Sequence, residues 1–411
     1  MSLVERLKAW WRGLARGRRA KPVLVEADAE QAPQDAARAL PGRAAAGRGG
    51  RKATATAGQE VSPRAAAAAR PIRLALQGGG SHGAFTWGVL DGLLQRDDIV
   101  VEAASGASAG ALNAAVLACG WAKDGREGAR AALQAFWRDV GAAGGASLLP
   151  LQASAFGPPF DLASVPGYDW ASRFLRTLSP YDYNPLNLNP LRDVLLRHID
   201  VDALREGPVR VFVTATAVRS GEAQVFHGDA LGVDALLASA CLPFLFQAVE
   251  IDGEPYWDGG YSGNPSIHPL IDPGEECDIV VVRVNPAHRE GVPRRSTQIM
   301  DRIGEITFNA SLIGELRMIA QLNRLQRRLA ARGARPAQCR LHVIADDVDL
   351  ATLPASSRMR VDPAFVERLH GLGQAAVAQF LEAHGDAIGQ RSSHSPAGDE
   401  AQAEEEARPD A

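Results

Sequence analysis

Residues 72–83 read Ile72-Arg73-Leu74-Ala75-Leu76-Gln77-Gly78-Gly79-Gly80-Ser81-His82-Gly83, and residues 104–110 read Ala104-Ser105-Gly106-Ala107-Ser108-Ala109-Gly110. Ile72 to Gln77 and Asp98 to Ala104 are short apolar runs that end in glycine-rich turns, and a helical pattern follows each. Short runs bounded by glycine read as buried strands, so strand, turn and helix repeat in a βαβα rhythm. Val209 to Ala217, Asp278 to Val284 and Arg340 to Ala345 look like further strands. Between the last two, Ile299, Ile303, Ile306, Leu312, Ile313, Leu316, Ile319, Leu322 and Leu325 recur every three or four residues. That spacing predicts one long helix or a broken pair. The expected fold class is α/β with a mainly parallel sheet.

The chain has 411 residues and 46 % hydrophobic content, which indicates a globular core and leaves one large or two smaller domains open. Its net charge of -4 hides a polarity, with seven Lys or Arg against Glu5 alone in residues 1–21 and six acids against one Arg in residues 399–411. Cys119, Cys241, Cys277 and Cys339 are scattered without metal spacing and read as free, mostly buried thiols. No Cys/His or acidic spacing suggests a metal, so the expectation is no metal, no cofactor and no nucleic-acid partner. No apolar run reaches the ~18 residues of a membrane span, and the N-terminus lacks the apolar stretch of a signal peptide. The expected location is cytoplasmic, with possible peripheral contact at the inner membrane surface.

Residues 1–21 place Leu3, Val4, Leu7, Trp10, Trp11 and Leu14 at helical spacing beside six basic residues. Such a basic amphipathic helix suits an anionic lipid interface, and equally a disordered or protein-docked arm. Residues 22–70 are an Ala/Arg/Gly/Pro linker with too little to bury to offset chain entropy. A catalytic domain is expected over 71–271, C-terminal helices and a strand completing it over 272–390, and a disordered acidic tail over 391–411.

Gly78, Gly79, Gly80, Ser81 and Gly83 sit where the first strand meets its helix. Glycines there let backbone N–H groups turn towards a bound oxygen, with the helix dipole behind them. The same stretch fits the dinucleotide fingerprint G-x-G-x-x-G, which would make the protein a nucleotide-binding oxidoreductase. That fingerprint also wants an acid at the end of the second strand, and the nearest, Glu102, lies in mid-strand.

Gly106-Ala107-Ser108-Ala109-Gly110 spells G-x-S-x-G between a strand and the small-residue helix Ala111 to Ala118. Such a turn lifts a serine hydroxyl out of the sheet at the positive end of the helix. The plainer alternative is a Gly/Ala-rich turn with an N-capping Ser. Only 28 residues separate Gly80 from Ser108, about one βαβ unit, so adjacent parallel strands would bring both loops to one sheet edge. There the glycine loop and the Ala109 N–H can donate to an oxyanion while Ser108 attacks a carbonyl.

A serine needs a base. A late histidine is one option, with His268 as a triad candidate. Asp258, within Tyr256-Trp257-Asp258-Gly259-Gly260, is the stronger one: an acid between an aromatic pair and two glycines, in a segment that reads as loop. Burial beside Trp257 would raise its pKa. The plainer alternative is a turn Asp before Gly.

These three pieces in this order resemble the patatin-like phospholipase family, as do Leu76 to Phe85 and Ala238-Ser239-Ala240-Cys241-Leu242-Pro243-Phe244. The resemblance covers about Arg73 to Ile271. It implies a three-layer α/β/α fold and metal-free hydrolysis of lipid acyl esters through an acyl-serine. By position it implies Ser108 as nucleophile, Asp258 as base, Gly78 to Ser81 with Gly83 as oxyanion loop, and Gly106, Gly110, Gly259 and Gly260 as motif glycines. Many members carry Arg or Lys where this chain has His82, so the charge beside the oxyanion is expected to be partial or pH-dependent. A catalytically silent lipid-binding scaffold on the same fold is the remaining alternative. Residues 156–183, rich in Pro, Phe, Tyr and Trp, suit either an acyl groove or ordinary packing.

Overall fold

The structure, a computed structural model, describes residues 69–146, 179–272, 274–330 and 338–395. The basic helix, nearly all of the linker, most of the aromatic segment and residues 396–411 of the tail therefore lie outside the described residues.

Strand β1 (Arg70–Leu76) leads through the 3-10 turn Gly80–His82 into helix α1 (Gly83–Leu94). Strand β2 (Ile99–Ala107) leads into helix α2 (Ala109–Ala146), which is interrupted at Asp124 and Gly125. Two short helices, Pro190–His198 and Val201–Glu206, precede β3 (Arg210–Ala217) and β4 (Ala223–Phe226). Helix α3 (Val233–Ser239) is followed by the hairpin β5 (Val249–Ile251) and β6 (Glu254–Asp258). Strand β7 (Cys277–Arg283), helix α4 (Ser296–Ala330), β8 (Cys339–Ala345) and helix α5 (Pro363–His384) complete the order. Helix α5 starts where Pro363 fixes the first turn and the Asp362 carboxylate accepts the Phe365 N–H at 3.0 Å.

The sheet runs β5-β6-β3-β2-β1-β7-β8, with β4 on β3. Strands β3, β2, β1, β7 and β8 are parallel, whereas β4, β5 and β6 are antiparallel additions. Side chains alternate along a strand, and the core divides accordingly. From β1, Ile72, Leu74 and Leu76 meet α1, α2 and α5 through Phe85, Leu117, Phe136, Leu369 and their neighbours. Ala75 on the opposite face joins Ile279, Val281 and Leu341 against Leu312, Leu316 and Ile319 of α4. Helices thus cover both faces, giving three α/β/α layers. A fully buried Leu or Phe contributes about 1.5–3 kcal/mol by removal from water, so the first face carries most of the stabilisation.

One expectation is corrected. The segment around Asp258 is a strand, β6, rather than a loop. The periodic stretch 299–325 takes the first of its two expected forms, one long helix. Of its apolar residues only Leu312, Leu316 and Ile319 are buried, while Ile303, Ile306, Leu322 and Leu325 face out.

Candidate active site

Three strands compete for the two edges of β3. Strand β4 takes one edge over Val213–Thr216, so β2, paired as far as Ala107 with Thr214, and β6, paired from Asp258 with Ala215, share the other edge end to end. The residue after the end of β2 is Ser108, and the last residue of β6 is Asp258. Parallel β2 and antiparallel β6 run towards each other along β3 and bring together side chains 150 positions apart.

Ser108 takes a left-handed backbone at φ 51°, which costs a non-glycine residue of order 1–3 kcal/mol. Its neighbours leave no room for Cβ atoms: one on Gly106 would stand 2.4 Å from the Ala111 nitrogen, and one on Gly110 would stand 2.1 Å from the Leu76 carbonyl oxygen. This is the physical content of G-x-S-x-G here. The Ser108 N–H donates to Ser239 Oγ at 2.9 Å, and helix α2 starts at the next residue.

Asp258 is fully buried. Its Oδ1 accepts the Gly260 N–H at 2.8 Å, while Oδ2 has no hydrogen-bond partner among the described residues. Burial pushes the carboxyl up to about 7; the Gly260 N–H and the Ser108 hydroxyl pull it back without cancelling the rise. Ser108 therefore lies near enough to act on the carboxylate, yet no hydrogen bond of ordinary length joins them, a looseness common in unliganded sites. Trp257, on alternate pleat, is only partly buried.

The glycine loop is held by side-chain amides. Asn264 Oδ1 accepts the Gly78 N–H at 2.7 Å, its Nδ2 donates to the Phe308 carbonyl at 3.0 Å, and Asn285 Nδ2 donates to the Gly78 carbonyl at 3.2 Å. Gln77 accepts from the Val284 and Asn285 N–H groups and donates to Asn309 Oδ1 at 2.8 Å. The Gly83 N–H is likewise spent, on the carbonyls of Gly80 and Ser81. By contrast, the N–H groups of Gly79, Gly80 and Ala109 have no partner among the described residues. Gly80 has φ 60°, and a Cβ there would stand 2.2 Å from the Arg358 carbonyl oxygen.

That contact belongs to a strap, the 3-10 turn Ala355–Met359, fastened over the loop. Ser81 Oγ donates to the Ser357 carbonyl at 2.9 Å, and His82 Nε2 lies 2.8 Å from Ser357 Oγ. Because Ser357 Oγ donates to the Pro354 carbonyl, it accepts from a protonated His82 Nε2. Burial, then Arg358 and Arg289, push His82 down to about 3. The expectation of partial charge at this position is corrected: His82 is neutral at physiological pH.

His268 is exposed, its backbone N–H bonded to Glu315 Oε2 at 3.0 Å, and none of its contacts reaches Ser108 or Asp258. Glu102 pairs with Arg73 at 3.5 Å, and β2 ends in Ser105-Gly106-Ala107 with no acid to hold a ribose. Neither the triad nor the dinucleotide arrangement is assembled. Among the described residues no cluster of three or more His, Cys, Asp or Glu could hold a metal, and no helix is long and apolar enough to cross a membrane. All four cysteines are buried and free.

Residues 74–271 match the family model described as patatin-like phospholipase. This segment is a patatin-like phospholipase domain. The chain is also similar to VipD from Legionella pneumophila, at 15 % identity over 76 % of this chain and 67 % of that one, with a TM-score of 0.33. A second similarity is to the ExoU–SpcU complex of the type III secretion system of Pseudomonas aeruginosa, at 18 % identity over 77 % of this chain and 52 % of that one, with a TM-score of 0.31. The chain thus spans between half and two thirds of the length of these solved chains. No curated protein matches it significantly. Sequence reasoning missed Ser239, Asn264, Asn285 and the strap. Ser239 lay inside the Ala238–Phe244 resemblance, whereas a lone amide six residues past Asp258 carries no distinguishing signal.

Proposed function

We propose that the patatin-like phospholipase domain hydrolyses acyl esters of lipids through a Ser108–Asp258 dyad. The observation that carries this reading is a wholly buried carboxylate with one unpartnered oxygen, raised to about 7, next to a serine at a left-handed strand-to-helix turn. A base poised near the working pH is what general-base catalysis favours.

In the proposed sequence Asp258 takes the Ser108 proton as Oγ bonds to the ester carbonyl carbon. The negative charge that develops on the carbonyl oxygen meets the unpaired N–H groups of Gly79, Gly80 and Ala109. Collapse breaks the ester C–O bond, and the leaving alcohol takes the proton from Asp258. Water then attacks the acyl-serine, Asp258 accepts its proton, and the carboxylic acid leaves as Ser108 regains its hydrogen.

Ser108→Ala and Asp258→Asn should each lower hydrolysis of a short-chain ester by at least about 10³-fold. Fluorophosphonate labelling should vanish in Ser108→Ala. Near wild-type turnover in Asp258→Asn would reassign the base; a folded protein that binds liposomes but never takes the label would be a silent lipid scaffold.

A further inference from the structure

The four buried cysteines take no part in acyl transfer, and two of them differ from the others. Cys119 and Cys241 each donate to a backbone carbonyl, that of Asp200 at 3.3 Å and that of Gln247 at 3.1 Å. Burial pushes these two thiols up to about 11 and about 12. Cys277 and Cys339 meet each other instead. They are the first residues of β7 and β8 and lie opposite each other in the parallel register, with the Cys277 S–H donating to Cys339 Sγ at 3.1 Å. Two sulfurs at that separation are inside van der Waals contact. Neighbouring strands lie about 4.8 Å apart, within the Cα separation that a disulfide spans, so side-chain rotation is enough to close the bond.

The pair is also reachable. A cavity of about 280 Å³ has Cys277 in its wall beside Arg73, Asp278 and Arg340, with the exposed Glu276 and Gln390 at its mouth. The Cys277 S–H, and after it the Arg73 and Arg340 cations, pull the Cys339 thiol down against the effect of burial. Two thiols that share a proton beside cations favour a reactive thiolate. This cavity is remote from Ser108. Gly106 is level through Leu76 with Val282, five residues along β7 from Cys277, or about 17 Å.

We propose that Cys277 and Cys339 are a dithiol redox site, oxidised to a disulfide by hydrogen peroxide entering this cavity, and that the bond locks the edge strand β8 to β7. The reaction starts from the singly ionised pair. Cys339 Sγ takes the Cys277 proton along their hydrogen bond as Cys277 Sγ attacks one peroxide oxygen. The O–O bond breaks, and the leaving hydroxide takes that proton back from Cys339 and departs as water. Cys339 Sγ then attacks the sulfenic sulfur of Cys277, so that the S–S bond forms, the S–O bond breaks and hydroxide leaves. The two sulfurs give up two electrons, and the peroxide ends as water and hydroxide. The new bond closes a loop that contains α4, between ends 62 positions apart. Asn323 of α4 already grips β8 there, accepting the Cys339 N–H at 3.1 Å and donating to its carbonyl at 2.7 Å. Cross-linking a loop of this length restricts the unfolded chain, so the oxidised form is the more stable.

The site does not depend on the acyl-ester reading, and its test needs no lipid. Full-length protein, fully reduced, is treated with hydrogen peroxide under native conditions, blocked with N-ethylmaleimide, digested and read by mass spectrometry. The wild type should lose two hydrogens and yield a peptide pair joined through Cys277 and Cys339, which dithiothreitol separates, while Cys119 and Cys241 remain alkylated. The link should form at least about tenfold faster in the folded protein than in urea, because only the fold holds the two sulfurs in contact. Oxidised wild type should melt at least about 2 °C above the reduced form, and peroxide should give Cys339→Ala no such rise. Four thiols still alkylated after peroxide, an oxygenated Cys277 without the link, or faster linking in urea would overturn the redox site. An oxidised wild type that melts no higher would overturn the lock.

Discussion

Ser239 Oγ accepts the Ser108 N–H at 2.9 Å and donates to the Thr214 carbonyl at 2.6 Å, tying the nucleophile turn to β3 through one buried hydroxyl. Ser239→Ala would leave a buried donor and a buried acceptor unsatisfied, at about 1–3 kcal/mol each. The expected outcome is a lower melting temperature and a kcat reduced about 10- to 100-fold with KM little changed, because the turn loosens while the substrate contacts remain. A variant as active and as stable as wild type would show that the hydroxyl is dispensable.

Asp258 sets the pH dependence. With the carboxyl at about 7, kcat/KM should fall tenfold per unit below that point and level off above it. Stability runs the other way. Its folded pKa lies above the unfolded value of 3.8, so between the two the folded state holds a proton the unfolded chain lacks, and stability drops as pH rises through that window. Asp258→Asn removes this effect, so its melting temperature should gain on wild type as pH rises from about 4 to about 7. A constant difference across that range would mean that the carboxyl is not raised.

His82 has the opposite sign. The unfolded chain binds its proton near 6.5 and the folded chain only near 3, so neutral burial costs stability as pH falls through that window. His82→Gln should flatten this part of the acid-unfolding curve. His82→Arg should lower the melting temperature at all pH values, because it buries a cation beside Arg358 and Arg289.

Two glycines separate strain from site geometry. Gly80 and Gly125 have φ 60° and 55°, but a Cβ meets the Arg358 carbonyl in the first case and nothing within 4 Å in the second. Gly80→Ala should cost activity by at least about 10²-fold along with stability, whereas Gly125→Ala should cost about 1 kcal/mol and no activity. Equal activity in the two variants would remove the Gly80 N–H from the oxyanion proposal.

The arm at residues 1–21 lies outside the described residues, and its membrane role is a proposal from sequence. Its deletion should leave hydrolysis of a soluble ester unchanged and weaken sedimentation with anionic liposomes, more so at low salt.

Much of this arrangement was legible in the sequence. Strands β1, β2, β7 and β8 are apolar runs buried on both faces, and the glycine turns after β1 and β2 mark the loops that carry Gly79 and Ser108. Strand β6 was not, because Glu254-Pro255-Tyr256-Trp257-Asp258 is short, half polar and contains proline. Asp252-Gly253 just before it was the missed signal: both residues have positive φ, at 53° and 79°, as a two-residue hairpin turn requires. Helix α4 was read from its periodicity, but periodicity cannot tell which of two apolar faces meets the core. The strap was invisible because it reaches the glycine loop from 276 residues away through a serine carbonyl.

The hairpin that delivers Asp258 also makes the dyad a matter of parity. Asp258 and Trp257 sit opposite Ala215 and Thr216, and their side chains leave the sheet in opposite directions. One residue inserted between Gly253 and Asp258 would swap them, sending the carboxylate through to the far side of the sheet and an indole towards Ser108. Two inserted residues would restore the direction but overshoot by about 7 Å. Length variation in this family of folds should therefore be tolerated before β5 and be forbidden in the four residues between the turn and the base.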